Sequence, residues 1–157
     1  MKRFVLVVLL AVTSLGMYAQ KGSQSVGFNL GYGFDSENAT IGLDYRYNLT
    51  NQVRLAPSLT HFIKNDGISA WAIDMNVHYV VPLGDTFAFY PLGGVDLSFW
   101  RFNQHHYSDN WTRFGLNIGL GADVYASPEI TVGVDVKYNI IKHNDQALAS
   151  IRVAYNF

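Results

Sequence analysis

Apolar residues alternate with small or polar residues along most of this chain, and the alternation constrains the fold more than any other feature. The final segment, 146–157, shows it most clearly, because Ile151, Val153, Tyr155 and Phe157 all occupy one parity. Successive side chains of a β-strand point to opposite faces of the sheet. This spacing therefore predicts a strand with one apolar face.

The same alternation recurs throughout the chain. It predicts eight strands, at 25–34, 39–49, 53–63, 70–81, 86–100, 112–125, 129–141 and 146–157. Most are near the roughly 9–11 residues with which a tilted strand crosses a bilayer. Pro57 lies within the third strand and cannot donate a ladder hydrogen bond, so we expect a β-bulge there. The segment 101–111 is predicted to be the longest loop.

The start of the chain is predicted to be a signal peptide, residues 1–19. Lys2 and Arg3 supply the basic start, an apolar run follows at 4–12, and small and polar residues lead to Ala19. The apolar run is shorter than the roughly 20 residues of a membrane-spanning helix. Residues 20–157, which contain all eight strands, are predicted to form a single domain.

Composition narrows the function classes. The chain has no cysteine, which excludes disulfides and thiolate metal sites. Lys2 and Arg3 leave with the leader, so the 11 basic residues fall to nine against 12 acidic ones, which disfavours a nucleic-acid partner. Charged residues make up 15% of the sequence, whereas a soluble surface carries roughly 25–35%. Much of the surface is therefore expected to face lipid.

The strand pattern and the aromatic end resemble the small OmpA/OmpX-type barrels of the bacterial outer membrane. The resemblance implies an all-β fold, an eight-stranded antiparallel up-and-down transmembrane barrel. It also implies surroundings of outer-membrane lipid and lipopolysaccharide, and assembly machinery that reads the last strand, with Tyr155 and Phe157 as the signal. Both chain termini and the turns at 50–52, 82–85 and 126–128 would be periplasmic. The connections at 35–39, 64–68, 101–111 and 142–145 would face outward.

Alternation alone does not say which face is outside, since a lipocalin-like barrel has its apolar face inward. Two features favour an apolar face toward lipid. The other face carries balanced charges, five acids and five bases, expected to pair inside the lumen: Asp44, Asp74, Asp96, Asp123 and Asp135 with Arg46, Arg54, Arg113, Lys137 and Arg152. Aromatic residues gather near both ends of the apolar face, as in interfacial girdles: Tyr47, Tyr79, Phe87, Phe89, Tyr155 and Phe157 at one end, and Phe34, Trp71, Phe99, Phe114 and Tyr138 at the other.

Eight strands enclose an interior that side chains fill. The sequence therefore predicts a non-enzymatic surface barrel, structural or interacting through its outer loops, with no cofactor and no metal centre. The predicted contact residues lie in the longest loop: His105, His106, Tyr107, Asp109 and Trp111. Two alternatives are a narrow, low-conductance pore and a secreted lipocalin-like binder of a small apolar ligand.

An enzymatic alternative rests on the segment His106-Tyr107-Ser108. It resembles the His-x-Ser stretch of outer-membrane lipid A deacylases, which implies Ser108 as nucleophile, His106 as its base and a downstream Glu to orient the base. The sequence departs from that pattern, because the downstream Glu129 lies beside a turn predicted at the opposite rim. Adjacent His105 and His106 also form a candidate cation site with Asp109, but no spaced third ligand accompanies them.

Overall fold

The computed structural model describes residues 21–65, 67–104, 107–142 and 145–157. The predicted signal peptide lies outside these residues, as do His105 and His106. The strands are β1 (Gln24–Gly33), β2 (Asn38–Asn48), β3 (Val53–Asn65), β4 (Ile68–Tyr79), β5 (Val81–Pro82), β6 (Phe87–Gln104), β7 (Tyr107–Tyr125), β8 (Ile130–Ile141) and β9 (Gln146–Asn156). Within the described ranges, no helix has the length and apolar character needed to cross a membrane.

The strands form one closed antiparallel sheet. Each pairs with the next along the chain, except that β4 pairs with β6 directly, and β1 pairs with β9 to close the barrel. The two-residue β5 continues β4 after a break at Val80, and both pair with β6, so the wall has eight strands. The break lies opposite Tyr90 and Pro91, and Pro91 has no N–H to donate. The predicted eight-stranded antiparallel barrel is confirmed.

The β-bulge predicted at Pro57 is wrong in position. Between β2 and β3 the pairing stops after Asp44↔Ser58 and resumes at Tyr47↔Leu55 in the same register. On its other side Pro57 stays in register with Met75 of β4. The missing N–H therefore interrupts one ladder without adding a residue. The irregularity of β3 falls instead between Phe62 and Asn65.

The apolar face points outward and the charged face points into the lumen. Ile151 and Val136 are 59% and 57% exposed, whereas Arg152 and Asp123 are 1% and 0% exposed. The lipocalin-like alternative is therefore wrong, since it requires an apolar interior. Members of both predicted aromatic girdles lie on the outward face, among them Trp71 and Tyr155.

The segment predicted as the longest loop, 101–111, is mostly strand. Residues 101–104 of β6 pair with residues 107–110 of β7, and the register continues without a shift from Gln104↔Tyr107 to Phe87↔Val124. The neighbouring strands do not extend as far as this hairpin, since pairing with β4 reaches only Ile68↔Phe102 and pairing with β8 only Gly115↔Ile141. Aromatic residues favour strands, and Phe102, Tyr107 and Trp111 lie in this segment, but the loop prediction gave its polar residues more weight. We call residues 99–104 and 107–114 the extended hairpin.

The two ends of the barrel differ. At one end, which we call the terminal rim, the connections after β2, β5 and β7 lie beside both ends of the described chain. There Phe157 N–H donates to the carbonyl of Gln24 at 3.0 Å. The opposite end, the hairpin rim, carries the extended hairpin and the connections after β1, β3 and β8.

Candidate functional site

Charged side chains from strands on different sides of the barrel meet in the lumen as a group that we call the arginine cluster. Arg46 is its centre: Nε lies 2.8 Å from Asp44 Oδ2 and Nη1 lies 3.1 Å from Asp123 Oδ1. Arg54 Nη1 lies 2.8 Å from Asp123 Oδ2, and Arg152 Nε lies 2.8 Å from Asp44 Oδ2. These ion pairs connect β2, β3, β7 and β9 through the interior.

The fold explains why these residues meet. Asp44 and Arg46 are two positions apart on β2, so both point into the lumen. Asp123 reaches them from β7, which is four strands away from β2 around the closed sheet and therefore faces it. Long guanidinium side chains span the remaining distance and offer several donors each. Contacts between facing walls of this kind fill the interior.

Aromatic rings pack against the arginine cluster. The rings of His78 and Tyr90 are stacked, with centroids 4.5 Å apart and planes 6° apart. The guanidinium carbons of Arg46 and Arg54 lie 5.2 and 4.6 Å from the Tyr90 centroid. Arg46 Nη2 also donates to the Tyr90 hydroxyl at 3.2 Å. Cation–π contacts of this kind strengthen as water is removed, and Tyr90 is fully buried.

A second group, which we call the aspartate cluster, lies closer to the hairpin rim. Asp74 accepts from Lys137 Nζ at 2.6 Å, from Asn117 Nδ2 at 2.6 Å and from Ser58 Oγ at 3.1 Å. Asp96 lies opposite Asp74 in the β4–β6 ladder and completes the cluster. Asp74, Asp96, Lys137 and Asn117 are all buried.

Two of the ten predicted lumen charges depart from the balanced pairing. Arg113 lies at the hairpin rim, where Nη1 is 3.4 Å from the carbonyl oxygen of Lys142 and the guanidinium is 5.2 Å from the Trp111 ring. Asp96 faces the lumen, but no described residue donates a hydrogen bond to either carboxylate oxygen. Parity predicted the direction of both side chains, but it gave no information about depth along the barrel.

Apolar side chains close the lumen near both rims, which sequence reasoning missed. Near the hairpin rim, a buried cluster combines Phe62, Ala70, Ala72, Trp100 and Leu148. Toward the terminal rim, a second one combines Val80, Ala88, Tyr90, Leu92 and Tyr125. The available signal was the presence of large apolar residues on the lumen parity near strand ends.

The interior leaves little free space. A lumen cavity of about 50 Å³ lies between the arginine cluster and the aspartate cluster. It is lined by Asp44, Arg46, His78 and Lys137, among others. A smaller one of about 20 Å³ opens beside Arg54 and Asp123. One water needs about 10–15 Å³ on this measure, so these cavities have room for a few water molecules.

The extended hairpin carries the described part of the predicted contact surface. Asp109 and Trp111 are exposed, and Trp111 lies opposite buried Trp100 in the β6–β7 register. Tyr107, the first residue of β7, pairs with Gln104. A surface groove of about 310 Å³ runs beside the hairpin and is lined by Ser69, Trp71, Phe99, Trp100, Arg101, Asn110, Trp111 and Thr112. These three contact residues therefore lie in a strand, whereas the sequence predicted a loop.

The residues of the enzymatic alternative are not brought together in the described part of the chain. Ser108 lies on β7 in register with Asn103, and Glu129 lies between β7 and β8 at the terminal rim. His106 falls outside the described residues, as does His105 of the suggested metal pair. Within the described ranges, no group of three or more His, Cys, Asp or Glu side chains is arranged to hold a metal ion.

Comparison with known proteins identifies the family. The model of the outer membrane protein beta-barrel domain matches residues 7–157. The chain belongs to this family. Membership places the protein in the bacterial outer membrane, where lipid surrounds the apolar face. No curated protein sequence matches this chain.

Solved structures share the fold at low sequence identity. The N-terminal β-barrel domain of OprF from Pseudomonas aeruginosa is 17% identical, with a TM-score of 0.77 over 87% of this chain and 98% of that one. Ail, the attachment invasion locus protein of Yersinia pestis, is 17% identical, with a TM-score of 0.65 over 88% and 100%. Neisserial surface protein A is 12% identical, with a TM-score of 0.66 over 85% and 94%.

Proposed function

We propose that this protein is a closed, non-conducting barrel of the outer membrane that acts as a structural or surface-interaction protein through its extended hairpin. The observation that carries the proposal is the filled lumen. Ion pairs cross the interior from β2 and β3 to β7, and apolar clusters close the space on both sides of them. A closed interior leaves the outer surface as the place of interaction.

The energetics of the arginine cluster support a permanently closed lumen. Opening a water-filled path requires Arg46 and Arg54 to leave Asp123, which is fully buried. Separating one buried partner from another costs about 3–5 kcal/mol, because it leaves an uncompensated charge. Several such contacts converge on the same level of the barrel, so thermal opening is rare.

The extended hairpin suits a contact surface. It rises beyond β4 and β8, because the ladder between β7 and β8 begins only at Gly115↔Ile141, and residues 107–110 of β7 have β6 as their one described ladder neighbour. A free strand edge offers backbone donors and acceptors to another chain. Exposed Trp111 and Asn110 and the neighbouring groove add aromatic and polar groups. We propose that this rim faces the outside of the cell and that both chain termini are periplasmic.

Assembly provides a further part of the proposal. Tyr155 and Phe157 point outward at the terminal rim, 55% and 64% exposed, with ring centroids 6.5 Å apart. Phe157 remains joined to β1 through its N–H. This terminal strand is available for recognition by the barrel-assembly machinery before β1 and β9 pair. Deleting Phe157 is expected to lower the amount of folded protein in the outer membrane, which quantitative blotting of membrane fractions measures.

Recording from planar lipid bilayers tests the closed lumen. Purified wild-type protein is expected to give no stable current steps. A double variant, Arg46→Ala with Asp123→Ala, removes the central cross-lumen pair and is expected to produce small, flickering steps. Large, stable steps from the wild-type protein would contradict the proposal and favour the narrow-pore alternative.

Labelling single cysteines on intact cells tests the orientation. The chain has no cysteine, so Asn110→Cys on the extended hairpin and Ala126→Cys at the terminal rim each give one labelling site. Both positions are exposed. A membrane-impermeant maleimide is expected to label the first variant on intact cells and the second only after lysis. The reverse pattern would show that the barrel has the opposite orientation.

A further inference from the structure

One buried carboxyl group of the aspartate cluster lacks a hydrogen-bond donor that would offset the cost of its burial. Asp96 is 1% exposed, and neither of its oxygens receives an N–H or O–H from a described residue. Leaving a charged group buried and unpaired is among the costliest features of a folded interior. Its nearest ladder partner makes this worse, because Asp74 lies directly opposite and is also 1% exposed.

The basic group nearest the pair is already engaged. Lys137 Nζ lies 2.6 Å from Asp74 Oδ2, and no ion pair joins it to Asp96 in the described structure. Asn117 Nδ2 occupies the other Asp74 oxygen at 2.6 Å. One lysine therefore faces two carboxyl groups, and the pair carries one negative charge too many if both are ionised.

The remaining charged groups on the strands beside β6 are directed elsewhere. On β7, Arg113 turns to the carbonyl oxygen of Lys142 at the hairpin rim, and Asp123 is bonded to Arg46 and Arg54. On β4, His78 is stacked on Tyr90 and lies 3.1 Å from Arg54 Nη2.

Across the lumen, Asp135 on β8 accepts from Ser150 Oγ at 2.7 Å. Ser98, two positions along β6, directs its hydroxyl to the carbonyl oxygen of Arg113 at 3.5 Å. None of these groups neutralises Asp96.

The missing component is a hydrogen-bond donor. Asp74 and Asp96 are directly opposite each other in the β4–β6 ladder, where two side chains on the same face are close enough to interact. Two carboxylates cannot form a hydrogen bond with each other, because an ionised carboxylate only accepts. A proton on one of them supplies both the donor and the missing positive charge. Asp74 already accepts from three groups, so Asp96 is the one that carries the proton.

We infer that the lumen binds one proton at the Asp74–Asp96 pair, with Asp96 as the O–H donor and Asp74 as the acceptor. A metal ion fits less well, because the two carboxyl groups stand beside the positive charge of Lys137. Loss of the proton leaves two like charges opposite each other in a ladder, which is destabilising. The folded barrel therefore holds a proton that the unfolded chain releases at neutral pH, and stability decreases as the pH is raised.

Infrared difference spectroscopy of the folded protein tests the inference directly. A neutral carboxylic acid gives a carbonyl stretching band that is separate from carboxylate bands and shifts in heavy water. We expect this band in the wild-type protein at neutral pH and its loss in Asp96→Asn. Asp109→Asn, at an exposed position of the extended hairpin, is the matched control and should retain the band. Absence of the band from the wild-type protein, or its persistence in Asp96→Asn, would overturn the inference.

Unfolding by urea gives a second, independent test. Asparagine reproduces the size and donor of a protonated aspartic acid but takes up no proton on folding. Asp96→Asn should therefore match the wild-type midpoint near about pH 4, exceed it at neutral pH, and lose the decrease that the wild-type protein shows as the pH is raised. Asp74→Asn removes the partner of Lys137 and should lower the midpoint. If both variants lose equal stability at neutral pH, Asp96 is ionised and the inference is wrong. If added sodium removed the decrease of wild-type stability at raised pH, an alkali cation and not a proton would neutralise the Asp74–Asp96 pair, and the inference would be wrong.

Discussion

The two faces of β8 are stabilised in opposite ways. On the outer face, the side chains of Val132, Val134 and Val136 point into lipid, and none of them needs a particular partner atom there. Asp135 and Lys137, on the same strand, point inward and each bonds with a particular atom on another strand. The stability of the outer face therefore depends on its side chains being apolar, whereas the stability of the inner face depends on particular pairs of bonded residues.

This difference predicts how each face responds to substitution. On the lipid face, any apolar side chain of similar size preserves the favourable transfer into the bilayer. In the lumen, removing one partner leaves another buried group without compensation. A substitution inside the barrel should therefore destabilise the protein mainly because the former partner stays buried without compensation.

The largest effect is expected for Asp123→Ala. It removes the acceptor shared by Arg46 and Arg54 and leaves two buried guanidinium groups facing each other. The expected loss is about 3–5 kcal/mol of unfolding free energy, measured by urea unfolding in lipid vesicles. Asp109→Ala, at an exposed position, is the control and should change stability by less than about 0.5 kcal/mol. Equal effects of the two substitutions would show that the lumen charges do not hold the barrel together.

A charge placed on the lipid face should have the next largest effect. Val134 lies mid-strand, in register with Ala122 and Ile151. Val134→Arg is expected to cost roughly 2–4 kcal/mol in the same assay, because the charge meets the bilayer midplane. Ile140→Arg, on the same face near the hairpin rim, should cost about 0–1 kcal/mol. Similar losses at both positions would contradict the proposed position of the membrane along β8.

A methyl group added inside the lumen should cost somewhat less. A Cβ atom at Gly121 would come within 2.3–2.4 Å of the Tyr90 ring and hydroxyl. Since Tyr90 is held between His78 and two guanidinium groups, Gly121→Ala should lose roughly 1–3 kcal/mol. Gly93→Ala is the matched control on the lipid face, where the nearest atom is 3.8 Å away. A loss at Gly93 as large as that at Gly121 would show that β-strand propensity, and not lumen packing, decides the outcome.

The smallest effect is expected for Arg113→Ala. This side chain contacts the Trp111 ring and the Lys142 carbonyl at the hairpin rim, so its removal should cost about 0.5–1 kcal/mol. Urea unfolding of Arg113→Ala and of Arg46→Ala in the same assay compares the two losses of unfolding free energy. If both arginine substitutions cost the same, the separation of Arg113 from the lumen network is wrong.

Much of the fold was predictable because the side-chain period of a strand is a local property. Parity placed Val134 and Asp135 on opposite faces, and the balanced charges and aromatic girdles indicated which face is outside. The number of strands followed from the same pattern, and an interior filled by side chains followed from that number. The closed antiparallel barrel was implied by the resemblance to small outer-membrane barrels. Pro57 was harder, since only the pairing shows whether a missing N–H interrupts a ladder or adds a bulge.

Partner identity within the lumen was not predictable from parity. Asp96 and Arg113 share the inward parity with the other charges, yet one is buried without a base and the other lies at a rim. Depth along a tilted strand depends on the register between strands, which a single sequence does not contain. The aromatic residues of 99–111 did signal strand, but the intervening polar residues obscured the extended hairpin.

A double-mutant cycle between Arg54 and Asp123 tests the central claim most directly. The two residues lie on β3 and β7, which are not neighbours in the sheet, and their side chains meet across the lumen at 2.8 Å. Unfolding free energies of the wild-type protein, Arg54→Ala, Asp123→Ala and the double variant give the coupling. A filled, cross-linked lumen predicts a coupling of about 1–3 kcal/mol. A coupling indistinguishable from zero would show that the two walls do not touch and that the lumen is open.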